Sequence, residues 1–309
     1  MGDRLIEEKT GHVEDKGLEI RRGDEGYPAR LAKLPDPPKS LFVRGLIPSG
    51  PMVAIVGSRN ADSSVCRFVS RLAGELTKHG LTIVSGGALG IDTAAHEGAL
   101  DAEGVTVAVI GSGFDFMYPE ANRSLFERIE GKGALVTEYS HEQPPTKWTF
   151  PRRNRIVAAM ASAVIVAQAG ERSGALITAR IARELGVPLG AMPGAAGDPR
   201  NLGSHRLLRE GAKMVENPTD VLALVARDRE VEQLTLPTFE RKAISRAELQ
   251  SLSSTEVKIL DILGSRPVHI DEIIVDTGLG SGETSAAILS LEMAGLVEDR
   301  GGKNFVRVE

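Results

Sequence analysis

Lys147, Trp148, Phe150, Arg152, Arg153 and Arg155 fall within nine residues, in the run TKWTFPRRNRIVAAM that holds no acid. Cations and rings at this density suit one chemistry: the cations neutralise phosphates and a ring stacks on a base of single-stranded nucleic acid. The chain of 309 residues carries a formal charge of −5, so the basicity is local. The plainer reading is a solvated basic surface with Phe150 filling the core. Cations at a helix start oppose the helix dipole, however, and a bound anion would offset that. With Pro151 at the first helical position, Arg152 and Arg155 stand one turn apart on one face, and Arg153 points away from it.

Four turns rich in glycine and small residues follow apolar runs: GSRNADSS (57–64), SGGALGID (85–92), GSGFDFMYP (111–119) and AGERSGAL (169–176). Glycine lets a backbone approach a ligand closely, and N–H groups at helix starts favour phosphate. The first turn lacks the G-x-G-x-x-G spacing and no GK[ST] occurs, so neither a dinucleotide nor a Walker-type nucleotide fits. Asp92 and His96 lie one turn apart in GIDTAAH, where a capping aspartate and a packed histidine are expected. Cys66 stands alone, which excludes an internal disulfide and argues for a buried structural thiol. No metal spacing, Ser-His-Asp order or paired acids emerge, and neither cofactor nor metal is expected.

These turns need a scaffold that brings them together. From Met52 the runs MVAIVG, LTIVSG, VTVAVIG, ALVTEY, AVIVAQA, PLGAMPG and KMVE alternate with amphipathic segments. The runs do not alternate in and out, as in strands covered on both faces. Strand–helix alternation predicts an α/β fold: a doubly wound, mostly parallel Rossmann-like sheet, with ligands at the carboxyl ends of its strands. That domain is expected over 51–225. Before it, residues 1–17 read as a flexible N-terminus and 18–50, rich in proline, as an extended arm packed on the domain. After it, 226–252 reads as a linker. Residues 253–309 predict three helices, with Ser253 or Ser254 as first cap and Gly295 ending the third, and a hairpin tipped by Gly301-Gly302: a small C-terminal winged-helix domain. The third helix, SGETSAAILSLEMAG, has no Lys or Arg, which favours a protein-contact role over duplex reading. The charged N-terminus lacks a signal peptide's apolar stretch, and no apolar run approaches roughly 18 residues. A cytoplasmic protein without membrane contact is expected.

The motifs GSRNA, SGGALGIDTAAHEGAL, GFDFMYPEANRSLFERI, FPRRNRIVA, RSGALITARIA and AMPG…GSHRLLREGAK, in this order, resemble the DprA (Smf) family, over about Leu18 to Val225. The C-terminal domain is similar to the winged helix many members carry. The resemblance implies a homodimer that binds single-stranded DNA, protects it, and loads the RecA recombinase on it during natural transformation. It implies a groove formed by Arg59, Lys147, Phe150, Arg152, Asn154, Arg155 and the Ser173-Gly174 turn. Arg59 and Lys147 would hold phosphates and Phe150 would contact a base, while the turns at Gly57-Ser58 and Gly86-Gly87 would offer backbone N–H groups. Leu208 and Met214 would belong to the dimer surface, with ordinary helix–sheet packing as the alternative. Leu89 stands where many members have a basic residue, and Trp148 matches no site position.

The same domain resembles nucleotide phosphoribohydrolases, which use an arginine and a glutamate. Arg153 could match the arginine. Thr178 stands where the glutamate would fall, and Glu171 is at the wrong offset, so the carboxylate for acid–base work is missing. A non-enzymatic strand binder is therefore expected, with a nucleotide-binding or nucleotide-cleaving relative as the alternative.

Overall fold

A computed structural model describes residues 17–235, 253–264, 267–293, 296–299 and 303–307. The chain divides into two units, 1–235 and 236–309.

The first unit is built on a nine-stranded sheet. The five central strands consist wholly of buried residues: β3 (Met52–Val56), β4 (Thr82–Ser85), β5 (Thr106–Val109), β6 (Ala134–Thr137) and β7 (Ala163–Val166). Helices cover both faces, which is why these runs are apolar throughout. With β8 (Leu189–Ala191) and β9 (Lys213–Met214) they pair in parallel, in the order β6-β5-β4-β3-β7-β8-β9. The chain winds from β3 outward to β6, then returns to the other side of β3 as β7. The crevice at that reversal is where a doubly wound sheet binds its ligands. The helices are α1 (Ser63–Lys78), α2 (Ile91–Asp101), α3 (Arg123–Lys132), α4 (Thr149–Met160), α5 (Ala175–Glu184), α6 (Leu202–Arg209) and α7 (Pro218–Thr235).

The expected arm is instead part of the sheet. Its ends form β1 (Leu18–Arg21) and β2 (Ser40–Gly45), and β2 pairs antiparallel with β6. Gly45 adopts φ +83, where a side chain would also strike the Gly133 carbonyl, so glycine is required as β2 ends. A short apolar stretch between prolines hides β2, and β1, at the sheet's edge, pairs with β2 alone.

The expected linker boundary is displaced as well. Helix α7 runs into it as far as Thr235, burying Val221, Leu224, Val225 and then Asp228. Asp228 takes a two-pronged ion pair from Arg30, at 2.8 and 3.0 Å, so this helix ties back to the segment after β1. The remainder, 236–252, and the expected flexible residues 1–16 lie outside the described residues. Helix α4 begins at Thr149, which puts Pro151 at its third position rather than its first. A missing N–H costs nothing anywhere among the first four helical donors. Cys66, expected to be buried, is partly exposed.

The second unit has its own core, including Ile259, Leu260, Ile273, Ile288, Leu291 and Phe305. Its helices are α8 (Ser254–Ile262), α9 (Ile270–Thr277) and α10 (Ser281–Met293). Ser253 and Glu256 close a reciprocal capping box at the start of α8. The expected hairpin is present as β11 (Val297–Asp299) and β12 (Asn304–Arg307), joined by β10 (Val268–His269) to give a third strand. Gly295, Gly301 and Gly302 lie outside the described residues.

Candidate nucleic-acid interface

A cleft of about 890 Å³ opens over the carboxyl ends of β3, β4 and β7, closed on one side by the start of α4. Of the expected groove residues it brings together Gly57, Ser58, Arg59, Gly86, Lys147, Phe150, Asn154, Ser173 and Gly174. Asn154 donates to the Gly174 carbonyl at 3.3 Å, tying α4 to the turn after β7. A side chain built on Gly174 would meet nothing, and its φ of −59 suits any residue. Packing and backbone conformation therefore give no reason for glycine there.

Phe150 is the ring at the centre of this wall. The Arg59 guanidinium lies 5.3 Å from its centroid, and Tyr118 meets it at 5.7 Å with the planes tilted by 56°. Trp148 does not line the cleft. It is 72% exposed and carries the Lys147 ammonium 5.1 Å from its ring.

Gly87, Arg152 and Arg155 do not line the cleft. Gly87 sits at φ +69 with Phe126 against it, so its glycine is required by conformation and packing. Arg155 turns to the buried face of α4 and pairs with Glu138, which Arg152 also approaches at 3.4 Å, while Arg152 reaches Asp36 at 3.4 Å. The two arginines share a face, as the spacing predicts, but their partners are acids of the protein. The expected amide nest is also largely committed. The N–H groups of Gly86 and Ala88 donate to Asp92 at 3.1 and 3.3 Å, and that of Ser58 donates to the Gln168 carbonyl at 2.7 Å. What the loops present at those positions is shape.

Arg153 points away from the face that Arg152 and Arg155 share, as the spacing predicts. It is 4% exposed, points into the sheet edge, and donates to the carbonyls of Gly86 and Val109. Burial lowers its pKa to about 10, against the attraction of Asp92, so it stays charged at neutral pH. Burial pushes Asp92 up, while Arg153 and the two loop N–H groups pull it down. Asp92 thus holds a loop rather than capping the helix start in the expected way; Gly90 occupies that position. His96 is packed, as expected, with Nδ1 2.7 Å from the Thr106 hydroxyl.

Two comparisons bear on these residues. A family model described as DNA recombination-mediator protein A matches residues 19–226, and one described as the DprA winged helix domain matches 244–303. The chain belongs to the DprA family.

Among DprA relatives, the Smf protein of Synechocystis is 34% identical over 92% of this chain and 78% of its own length. A putative DNA processing protein DprA of Mycobacterium tuberculosis is 41% identical over 81% of this chain, which spans 63% of that longer protein. The X-ray structure of DprA from Streptococcus pneumoniae is 42% identical with a TM-score of 0.64, covering 67% of this chain and 74% of that one. DprA from Helicobacter pylori, whose structure addresses its single-stranded DNA binding mode, is 32% identical with a TM-score of 0.61, covering 69% and 97%.

Three further cleft or rim residues of this DprA chain escaped the sequence reading: Tyr118, Arg172 and Arg200. Arg172 lies within the quoted turn AGERSGAL and could have been weighed there. Arg200 is steadied by Asp198 at 2.8 Å and by Asp62, a partnership no local pattern reveals. Leu208 is half-buried against the core, and Met214 is 51% exposed on β9, the outermost strand. Among the described residues no helix is long and apolar enough to cross a membrane, and no acid, His and Cys cluster could hold a metal.

Proposed function

We propose that this chain binds single-stranded DNA in the strand-end cleft and acts as a recombination mediator. In this reading it protects incoming strands and loads RecA on them during natural transformation, as a cytoplasmic homodimer. The observation that carries the reading is Phe150 between Arg59, at 5.3 Å, and the cleft wall that bears Lys147. A stacking ring beside phosphate-binding cations, in an open rather than enclosed cleft, fits a strand that runs through better than a small molecule that is swallowed. Membership of the family and the Helicobacter pylori relative's DNA-binding mode support it.

The alternative is nucleotide cleavage in the same cleft. Thr178 lines it without a carboxylate, and Asp92 already accepts two N–H groups beside Arg153. Neither supports acid–base catalysis, so the non-enzymatic reading is preferred.

A poly-dT oligonucleotide titrated with the protein, with a mononucleotide as competitor, tests the first step. Saturable binding that weakens with salt and resists the mononucleotide is expected. No binding, or release of free base from the mononucleotide, would overturn it. RecA filament growth on strands coated with single-strand-binding protein, with and without this chain, tests the second.

A further inference from the structure

The second unit leaves one side of its helix-turn-helix pair, α9 and α10, without a partner. From 270 to 293 the chain holds five Asp and Glu and no Lys or Arg, so a phosphate backbone would be repelled by the pair that such a fold turns to a duplex. Three of these acids have a local reason. Asp271, Glu272 and Glu283 lie in first turns, where the helix dipole favours negative charge. Asp276 and Glu292 lie in the last turns of α9 and α10, against the dipole, with no base in either turn and no ion pair among the described residues. Each has an aliphatic neighbour in solvent. Val275 is 77% exposed next to Asp276, and Leu289, one turn before Glu292, is 58% exposed. A single exposed aliphatic is ordinary. Here both helices repeat one arrangement, an aliphatic side chain in water beside an acid that its own helix disfavours. Another side of α10 is already engaged by α8: Thr255 donates to Glu283 at 3.1 Å and Ser290 to Glu256 at 2.6 Å.

We propose that α9 and α10 dock a cationic amphipathic segment of another protein, whose apolar residues cover Val275 and Leu289 and whose Lys or Arg groups meet Asp276 and Glu292. Charge complementarity selects this occupant. A cation beside Asp276 or Glu292 offsets the repulsion between that acid and its helix end. A cationic partner without apolar groups would leave the aliphatics in water, and an apolar partner without cations would bury the acids unpaired. A duplex would bring phosphates to both acids. Docking here does not require the DNA-binding reading of the cleft.

Methyl NMR spectra of the full-length chain, titrated with defined probes, test the surface. The probes are a designed amphipathic Leu-Lys helix, the same residues scrambled, its Leu-Glu counterpart and a short DNA duplex. The Leu-Lys helix is expected to shift the Val275 and Leu289 methyl signals saturably, with affinity falling as salt rises. Scrambling should weaken binding about tenfold, and the Leu-Glu peptide and the duplex should leave both signals unmoved. Two double variants, Val275→Ser with Leu289→Ser and Asp276→Asn with Glu292→Gln, should each bind labelled Leu-Lys peptide about tenfold more weakly by anisotropy. Asp276→Asn alone should keep or raise the urea midpoint, because it removes an acid from a helix C-terminus, which separates lost docking from lost folding. Equal binding of the scrambled peptide would reduce the face to a nonspecific acidic surface and overturn the proposal. So would the absence of shifts at Val275 and Leu289, undiminished binding by either double variant, or shifts caused by the duplex, which would give the face to DNA.

Discussion

Arg153 and Asp92 grip the same residue from opposite sides: Arg153 donates to the carbonyl of Gly86 and Asp92 accepts from its N–H at 3.1 Å. A Cβ on Gly86 would lie 2.6 Å from the Arg153 guanidinium and 2.8 Å from the Asp92 carboxylate. The pair fixes the second glycine turn and leaves no room between its members. Arg153→Ala strands a buried carboxylate and is expected to cost about 3–5 kcal/mol of stability. Asp92→Asn, which keeps acceptor oxygen and shape, should cost less. Urea unfolding of both, and of the double variant, checks the coupling. Equal and additive losses would mean the two do not act together.

Arg59→Ala and Lys147→Ala should each weaken oligonucleotide binding and flatten the salt slope by about 0.7. Phe150→Ala should lose about 1–3 kcal/mol of binding with the slope unchanged. Fluorescence anisotropy at four salt concentrations separates these outcomes.

Arg155→Ala should behave differently from its neighbours. Its guanidinium is paired with Glu138 and turned away from the cleft. A stability loss of about 2 kcal/mol is expected from the broken charged hydrogen bond. DNA affinity should stay near wild type, and a tenfold loss would return Arg155 to the groove.

His96 makes stability depend on pH. The Thr106 hydroxyl donates to the Ile83 carbonyl at 2.9 Å, so it accepts from His96, which puts the proton on Nδ1. Nε2 is buried without a partner among the described residues. Burial, aided by Arg153, lowers the pKa from 6.5 to about 3. Between those values the unfolded chain binds a proton that the folded one does not, so stability falls as pH drops below the unfolded pKa. The loss should reach about 2 kcal/mol at pH 5. His96→Gln should remove most of that dependence, measured by urea unfolding at pH 5 and 7.

Met214→Glu is the test of the proposed homodimer. Met214 is exposed on the outermost strand, where a second copy could pair with the free edge. Sedimentation should show wild type as a dimer and the variant shifted toward monomer. Two dimers would move the interface elsewhere.

The winged-helix unit is expected to add little DNA affinity. Residues 253–309 hold ten Asp and Glu against five Lys and Arg, so this segment accounts for the acidity of the whole chain. Truncation after Thr235 should leave oligonucleotide affinity unchanged or raised, since removing acid favours a polyanion. A large loss would assign the winged helix to the DNA.

The alternation of apolar runs and amphipathic segments determined the sheet, its winding and the edge where the glycine turns gather. Those features are periodic and local, so a one-dimensional pattern carries them. The family resemblance, rather than that pattern, set Lys147 and Phe150 beside the turn that bears Arg59. The pattern did not place β1 and β2: β2 declares itself only when β6 offers an unpaired partner, and β1 only when β2 does.

What the tertiary structure decided is which of the clustered cations are free. Arg152, Arg153 and Arg155 look alike in sequence, yet one lies under Gly86 and two turn to Glu138. Their ionic and carbonyl partners stand 14 to 116 residues away along the chain. The energy of a charge depends on what surrounds it in space, and distance along the chain does not encode that. The run TKWTFPRRNRIVAAM therefore announces a basic element, and the fold sorts it into one cleft cation, one buried clamp and a structural ion pair.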